Sequence, residues 1–162
     1  MTSNCYIIDT SSLVKLNREN PLDVYPSVWK KLETLVNAGR LIAPKEVLNE
    51  INQYDDQLSK WAKKQKMFKD VSPKQIETVR EILMAHPSLI DEDRNYDADP
   101  WVIALAVEMS TSTQKTLVKI KRIVVTEEKL RGNKENISFI SKEMSIEAID
   151  IITMFRTEGW KF

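Results

Sequence analysis

Cysteine and histidine are nearly absent: Cys5 and His86 are the only ones in 162 residues. One cysteine cannot form an internal disulfide. A single histidine makes His/Cys zinc sites and Ser–His or Cys–His triads poor candidates. Any chemistry must therefore rest on carboxylates. Cys5 reads as a small apolar residue of the first strand. His86, in "MAHPSL", reads as a plain residue at a helix C-terminus, where positive charge is favoured. Three glycines and six prolines are too few for a disordered chain. No repeat, low-complexity tract or linker stands out. No apolar run approaches membrane-span length and no charged-then-apolar leader opens the chain, so a soluble cytoplasmic protein with no membrane contact is expected. Excess charge is lacking too: 24 basic residues balance 24 acidic ones, unlike a strongly basic nucleic-acid binder. The length suits a single domain over 1–162, large enough to need no staples.

What is present is an alternation of strand and helix. Strands are predicted at 5–9, 40–44, 122–126 and 147–151, with a weaker one at 67–71. A helix begins near Ser12, and residues 22–28 form an irregular link. Over 27–38, Val28, Leu32, Leu35 and Val36 share a face, and Gly39 stops the helix. A long helix is expected over 45–66. Ser72 and Pro73 look like an N-cap and first-turn proline opening a helix to about 85. Asp99 and Pro100 repeat that pattern. A further helix is expected at 136–143, and a short one ends the chain. The stretch 110–120 fits neither type and reads as an extended loop. Strands separated by helices argue for a parallel α/β sheet covered on both faces.

Open α/β sheets bind ligands beyond the carboxyl ends of their strands, where strand order reverses. Asp9 ends "YIID", and Glu127 and Glu128 end "IVVTEE". Both strands are nearly continuous apolar runs, which suggests central positions. If they are neighbours, Asp9 and a glutamate share one crevice; otherwise each acid merely starts a helix. Asp99 is either a helix cap, a crevice acid or both, with Asp97 as its substitute. At about 100° per residue, Val47, Leu48, Ile51, Tyr54, Leu58, Trp61 and Ala62 form one stripe. Glu50 lies at its edge near the start of the helix. Asp55 lies at the other edge, further along, and Glu46 points away. Taken alone, Glu50 reads as a charged surface residue at a stripe edge.

Four acids at one sheet edge repel one another unless a cation offsets them. A hard divalent ion such as Mg²⁺ takes oxygen ligands, keeps several waters and sits well beside phosphates. The combination points to metal-assisted phosphodiester hydrolysis. Thr10, Ser11 and Thr126 then orient ligands or bound water.

"YIIDTSSLVKL", "LIAPKEVLNEI", "ADPWVIALA" and "RIVVTEEKL", in that order, resemble the PIN-domain nucleases over about 6–155. The ending "FRTEGWKF" resembles a small stand-alone branch of PIN-like proteins, related to VapC-type toxin ribonucleases. The resemblance implies a three-layer α/β/α sandwich with a mainly parallel central sheet. It implies a metal-dependent endoribonuclease using Mg²⁺ or Mn²⁺ on single-stranded or structured RNA. Asp9, Glu50 and Asp99 match the family's acids, Ser11 their polar companion, and Thr126 the threonine ending the fourth strand. The family often carries an aspartate two residues after that threonine. Here Glu128 stands there, beside Glu127, and either could be the fourth acid. Many small members are toxins of toxin–antitoxin pairs. The resemblance therefore points to an antitoxin protein and a second copy of the chain as partners.

Setting four acids aside leaves 24 basic against 20 acidic residues. "KWAKKQKMFK" and "KTLVKIKR" concentrate bases, the first beside Trp61 and Phe68, a pattern that can track phosphates and stack bases. The alternative is a solvated helix end with Trp61 in the core. Lys129 and Arg131 follow the acidic strand end and are expected nearer a bound phosphate. A haloacid-dehalogenase phosphatase needs a second aspartate where Ser11 stands. A receiver domain needs a lysine that "EAIDIITM" lacks. A non-catalytic PIN-like module binding RNA or protein is the remaining alternative.

Overall fold

The apolar runs at residues 5–8 and 123–125 lie side by side at the centre of one sheet. The computed structural model describes residues 2–54, 56–89, 97–111 and 119–162. Its strands are β1 (Thr2–Ile8), β2 (Leu41–Pro44), β3 (Phe68–Lys69), β4 (Lys119–Val125) and β5 (Glu147–Ile149). Their order is β3-β2-β1-β4-β5, and every pairing is parallel. The helices are α1 (Thr10–Glu19), α2 (Pro26–Asn37), α3 (Lys45–Tyr54), α4 (Asp56–Lys63), α5 (Pro73–Ala85), α6 (Asp99–Thr111), α7 (Ile137–Glu143) and α8 (Ile151–Thr157). Parallel strands need crossover connections, and helices serve that purpose here. The result is a three-layer α/β/α sandwich around the sheet.

The chain leaves β1 towards β2 and β3, then returns to the other side of β1 as β4 and moves out to β5. Strand order thus reverses between β1 and β4. Their ends are level, with Ile8 opposite Val125 and Val125 opposite Ile149. The backbone ladder runs one step further: Asp9 N–H donates to Val125 O at 2.8 Å and Thr126 N–H to Ile149 O at 2.9 Å. Asp9 and Thr126 are fixed at the switch point by the sheet itself.

Helix α6 shows no hydrophobic stripe because it is buried on nearly every side. Five consecutive residues, Val102, Ile103, Ala104, Leu105 and Ala106, are all in the core. A helix apolar all round belongs between layers, and α6 packs on β1, β2 and β4 as well as α5 and α7.

The expected helix over 45–66 is two helices, α3 and α4, which pack against each other. Unbroken, it would run about 33 Å, far beyond the roughly 13 Å of a four-residue strand. Broken, it brings Val47, Ile51, Leu58, Trp61 and Ala62 all into one core. Ser59 Oγ donates to Asn52 Oδ1 at 2.5 Å across the break. Asp55 lies outside the described residues, as does most of the 110–120 loop; α6 continues to Thr111 and β4 begins at Lys119. Helix α1 begins at Thr10, two residues before the predicted start. Ser72 caps α5 as expected, accepting from Gln75 N–H at 3.1 Å.

His86 does more than end a helix. It occupies the C-cap of α5, with Nδ1 3.2 Å from Glu135 Oε1 and Nε2 2.9 Å from Glu143 Oε2. It ties α5 to both ends of the α7 region. The carboxy-terminal motif is anchored at the amino edge of the sheet. Tyr6 donates its hydroxyl to Glu158 Oε1 at 2.7 Å, and Arg40 grips both oxygens of Glu158 at 2.5 and 3.1 Å. Burial and this carboxylate raise the Tyr6 hydroxyl to about 12. No helix among the described residues is long and apolar enough to cross a membrane.

Candidate functional site

Asp9 stands at the N-cap position of α1, yet its side chain does not cap the helix. Both neighbouring hydroxyls claim it instead. Ser11 donates to Asp9 Oδ2 at 2.7 Å and Thr126 to the same oxygen at 3.1 Å. Each hydroxyl in turn accepts a backbone N–H: Ser11 from Glu127 at 3.0 Å, Thr126 from Glu128 at 3.2 Å. The loop after β4 is thereby stitched to the end of β1. Asp9 is only 2 % exposed, and its Oδ1 has no hydrogen-bond partner among the described residues. A buried unpaired carboxylate oxygen is expensive.

The cleft above it holds about 420 Å³ and is lined by Asp9, Thr10, Ser11, Glu50, Asp99 and Glu128, with Val14 and Arg18 from α1. Glu50 is buried at the end of its own turn of α3, not displayed on the surface. Thr10 donates to Glu50 Oε1 at 2.5 Å, which joins the first turn of α1 to α3. Asp99 is the first residue of α6. The capping role expected of it falls to Asp97, whose Oδ1 accepts Asp99 N–H at 3.1 Å. That leaves the Asp99 carboxylate for the cleft.

The two glutamates after β4 separate cleanly. Glu127 accepts from Ser12 Oγ at 2.9 Å and Ile151 N–H at 3.1 Å, and lies 3.4 Å from Lys15 Nζ. It ties α1 to α8 and does not line the acidic cleft. Glu128 does line it, while its Oε2 accepts Ile137 N–H at 2.9 Å at the start of α7.

Electrostatics follow from this crowding. Burial pushes the Asp9 carboxyl up to about 7, opposed by the Ser11 bond and reinforced by the charges of Glu128 and Glu50. Burial, then Asp9, Glu128, Asp97 and Glu50, raise Asp99 to about 9. These are the signatures of carboxylates sharing one poorly solvated space. Among the described residues, no group of three or more His, Cys, Asp or Glu side chains is drawn together closely enough to cage an ion. The cleft is an open set of oxygen donors. Such a set suits Mg²⁺ or Mn²⁺, which retain waters. The orphaned Asp9 Oδ1 is the oxygen that lacks a partner.

Two predicted positions fall elsewhere. Lys129 lines the adjoining cavity and Arg131 a smaller one beyond it, not the acidic cleft. Trp61 is in the core, edge-on to Trp29 at 4.9 Å and donating to Glu33 at 2.9 Å, so it offers no stacking face. Among the described residues the cation that does line the cleft is Arg18, which sequence reasoning missed. Its signal was the spacing Ser11, Val14, Arg18, which shares one helical face once α1 starts at Thr10.

Residues 6–162 match the family model described as "Domain of unknown function (DUF4411)", and the chain belongs to that family. No curated protein matches it.

Proposed function

We propose that this DUF4411 protein is a metal-dependent endoribonuclease of PIN-like type. In this reading Asp9, Glu50, Asp99 and Glu128 hold Mg²⁺ or Mn²⁺. The observation that carries it is buried Asp9, one of whose oxygens has no partner among the described residues, lining one cleft with three further carboxylates at the point where strand order reverses. A protein keeps such mutually repelling acids when a cation offsets them.

When bound, a divalent ion supplies charge neutralisation for a diester phosphate and an acidified water. The chain's own residues do the rest. Ser11 and Thr126 fix Asp9 through one oxygen and leave the other without a hydrogen bond among the described residues. Thr10 orients Glu50, and Asp97 turns the backbone that presents Asp99. Arg18, on the cleft wall, draws in the anionic substrate. Hydrolysis forms one phosphorus–oxygen bond to water and breaks one to a ribose oxygen.

RNA as substrate, an antitoxin as inhibitor, a homodimer and a cytoplasmic setting all rest on the resemblance of the four motifs to PIN-domain toxins. The bond from Ile137 to Glu128 favours a second reading, a non-catalytic PIN-like module, because it gives that glutamate a structural task. Purified protein incubated with RNA and Mg²⁺ or Mn²⁺ separates the two. The nuclease reading expects internal cleavage that EDTA abolishes. Intact RNA under both ions supports the binding module.

A further inference from the structure

The start of α7 holds the loop that carries Glu128 at three places. Ser138 donates its hydroxyl to the main-chain oxygen of Glu128. Asn136 Nδ2 donates to the next carbonyl, Lys129 O, at 2.8 Å. Ile137, between them, donates its N–H to Glu128 Oε2 at 2.9 Å. From the strand side, Thr126 Oγ1 accepts Glu128 N–H at 3.2 Å. Both backbone polar groups of Glu128 and one oxygen of its carboxylate are thus engaged, while Oε1 has no hydrogen bond among the described residues. We propose that Asn136 and Ser138 are positioning residues for the metal site: they fix the backbone of Glu128, so that its carboxylate, tethered through Oε2, keeps Oε1 for a divalent ion. The proposal rests on the reading of Glu128 as a metal ligand and adds what holds it in place.

Side-chain length gives the reason. Glutamate is among the side chains that lose most rotamer freedom when fixed, so as a metal ligand it needs firm support. The shorter Asp9 is held through one oxygen by two hydroxyls. Glu128 is held through one oxygen by a backbone N–H, and its main chain is held as well. Helix α7 is a firm base for this. Ile137, Ile140 and Ser141 are buried, and the helix packs on α6 and β5. His86 reaches Glu135 just before α7 and Glu143 at its end. Helix α6 begins with Asp99, so the helix that holds Glu128 packs on the helix that carries another acid of the cleft.

Asn136 has two tasks that can be separated. Its Oδ1 caps α7 by accepting Phe139 N–H at 3.0 Å, while its Nδ2 reaches Lys129 O. Serine caps helices about as well as asparagine but has no amide donor. Asn136→Ser therefore keeps a cap and the charge, and removes the bond to the loop. Ser138 lines a cavity of about 530 Å³. Ser138→Thr has room there for its methyl group and keeps the hydroxyl.

The test measures metal binding separately from cleavage. Calorimetric titration with Mn²⁺, with thermal melting beside it, compares wild type with Asn136→Ser/Ser138→Ala and with Ser138→Thr. A control, Ser72→Ala, removes the cap of α5 and touches no residue lining the acidic cleft. The double variant should bind Mn²⁺ about 10- to 100-fold more weakly, the usual effect of losing groups that orient a metal ligand. Ser138→Thr should match wild type. Ser72→Ala should melt earlier and bind Mn²⁺ as wild type does. Unchanged affinity in the double variant, an equal loss in Ser72→Ala, or no Mn²⁺ binding by wild type overturns the assignment. If the double variant loses Mn²⁺ as expected but wild type leaves RNA intact under Mg²⁺ and Mn²⁺, the nuclease reading falls and a positioned metal site remains.

Discussion

Ser11 donates its hydroxyl to Asp9 Oδ2 at 2.7 Å and leaves Asp9 Oδ1 without a partner among the described residues. With Thr126 it fixes the carboxylate through one oxygen and leaves the other without a partner among the described residues. Ser11→Ala should weaken divalent-ion binding by about 10- to 100-fold, the usual effect of losing a group that orients a metal ligand. Calorimetric titration with Mn²⁺ reads this directly. An unchanged affinity would remove Ser11 from any role in the site.

The acidic cleft also sets a pH dependence. Asp9 is raised to about 7 and Asp99 to about 9, from an ordinary value of 3.8. Between about pH 4 and 9 the folded chain therefore holds more protons than the unfolded chain. Stability should be greatest, as far as these groups go, below about pH 4, and fall as pH rises through 7 and 9. Melting curves in EDTA across that range should show the decline, and Mn²⁺ should offset it most at the alkaline end. A melting temperature that rises with pH in EDTA would contradict the desolvated acids.

Asp99→Asn should trade activity for stability. It removes a carboxylate that four other acids and burial disfavour. At pH 8, without metal, the variant should gain about 1–3 kcal/mol against urea while losing RNA cleavage. A destabilised variant would mean that Asp99 has a structural partner after all.

Glu127 and Glu128 differ in kind despite their adjacency. Glu127→Gln weakens its bonds to Ser12 and Ile151 and its pairing with Lys15. It should cost about 1–2 kcal/mol of stability and change cleavage little. Glu128→Gln should reduce cleavage and metal affinity with a smaller change in melting. The opposite pattern would move the fourth acid to Glu127.

At the other edge of the sheet, Glu158→Ala removes the acceptor of Tyr6 and both bonds from Arg40. A loss of about 2–3 kcal/mol in urea unfolding is expected, since a partly buried guanidinium is left without its partner. Metal affinity of the folded protein should not change.

Strand–helix alternation was legible because short apolar runs mark the central strands, while apolar stripes and cap residues mark helices such as α2 and α5. The apolar runs "YIID" and "IVVT" put Asp9 and Thr126 at strand ends; that the two strands are neighbours was open in the sequence and comes from the pairing of β1 with β4. The break between α3 and α4 was not legible. Its apolar stripe continues in phase across residues 54–58, so nothing in the pattern marks where α3 ends and α4 begins. The division of labour between Asp97 and Asp99 was hidden for a related reason. Asp-Pro is a good cap by propensity, and only the bond from Asp99 N–H to Asp97 shows which acid does the capping. Arg18 escaped notice because a start of α1 near Ser12 left Ser11 outside the helix, so the run Ser11, Val14, Arg18 was not read as one face. Glu127 and Glu128 could not be separated by pattern, because one residue decides which of them turns towards α8 and which towards the cleft.

The most direct test is Asp9→Asn in the RNA cleavage assay with Mn²⁺, beside wild type and an EDTA control, with folding checked by circular dichroism. The substitution keeps the shape of the side chain and an oxygen, and removes the charge. The cleft-centred account predicts divalent-dependent internal cleavage by wild type and a loss of at least about 100-fold in the folded variant, beyond the usual effect of losing a supporting partner. Equal cleavage by Asp9→Asn and wild type would place the chemistry elsewhere.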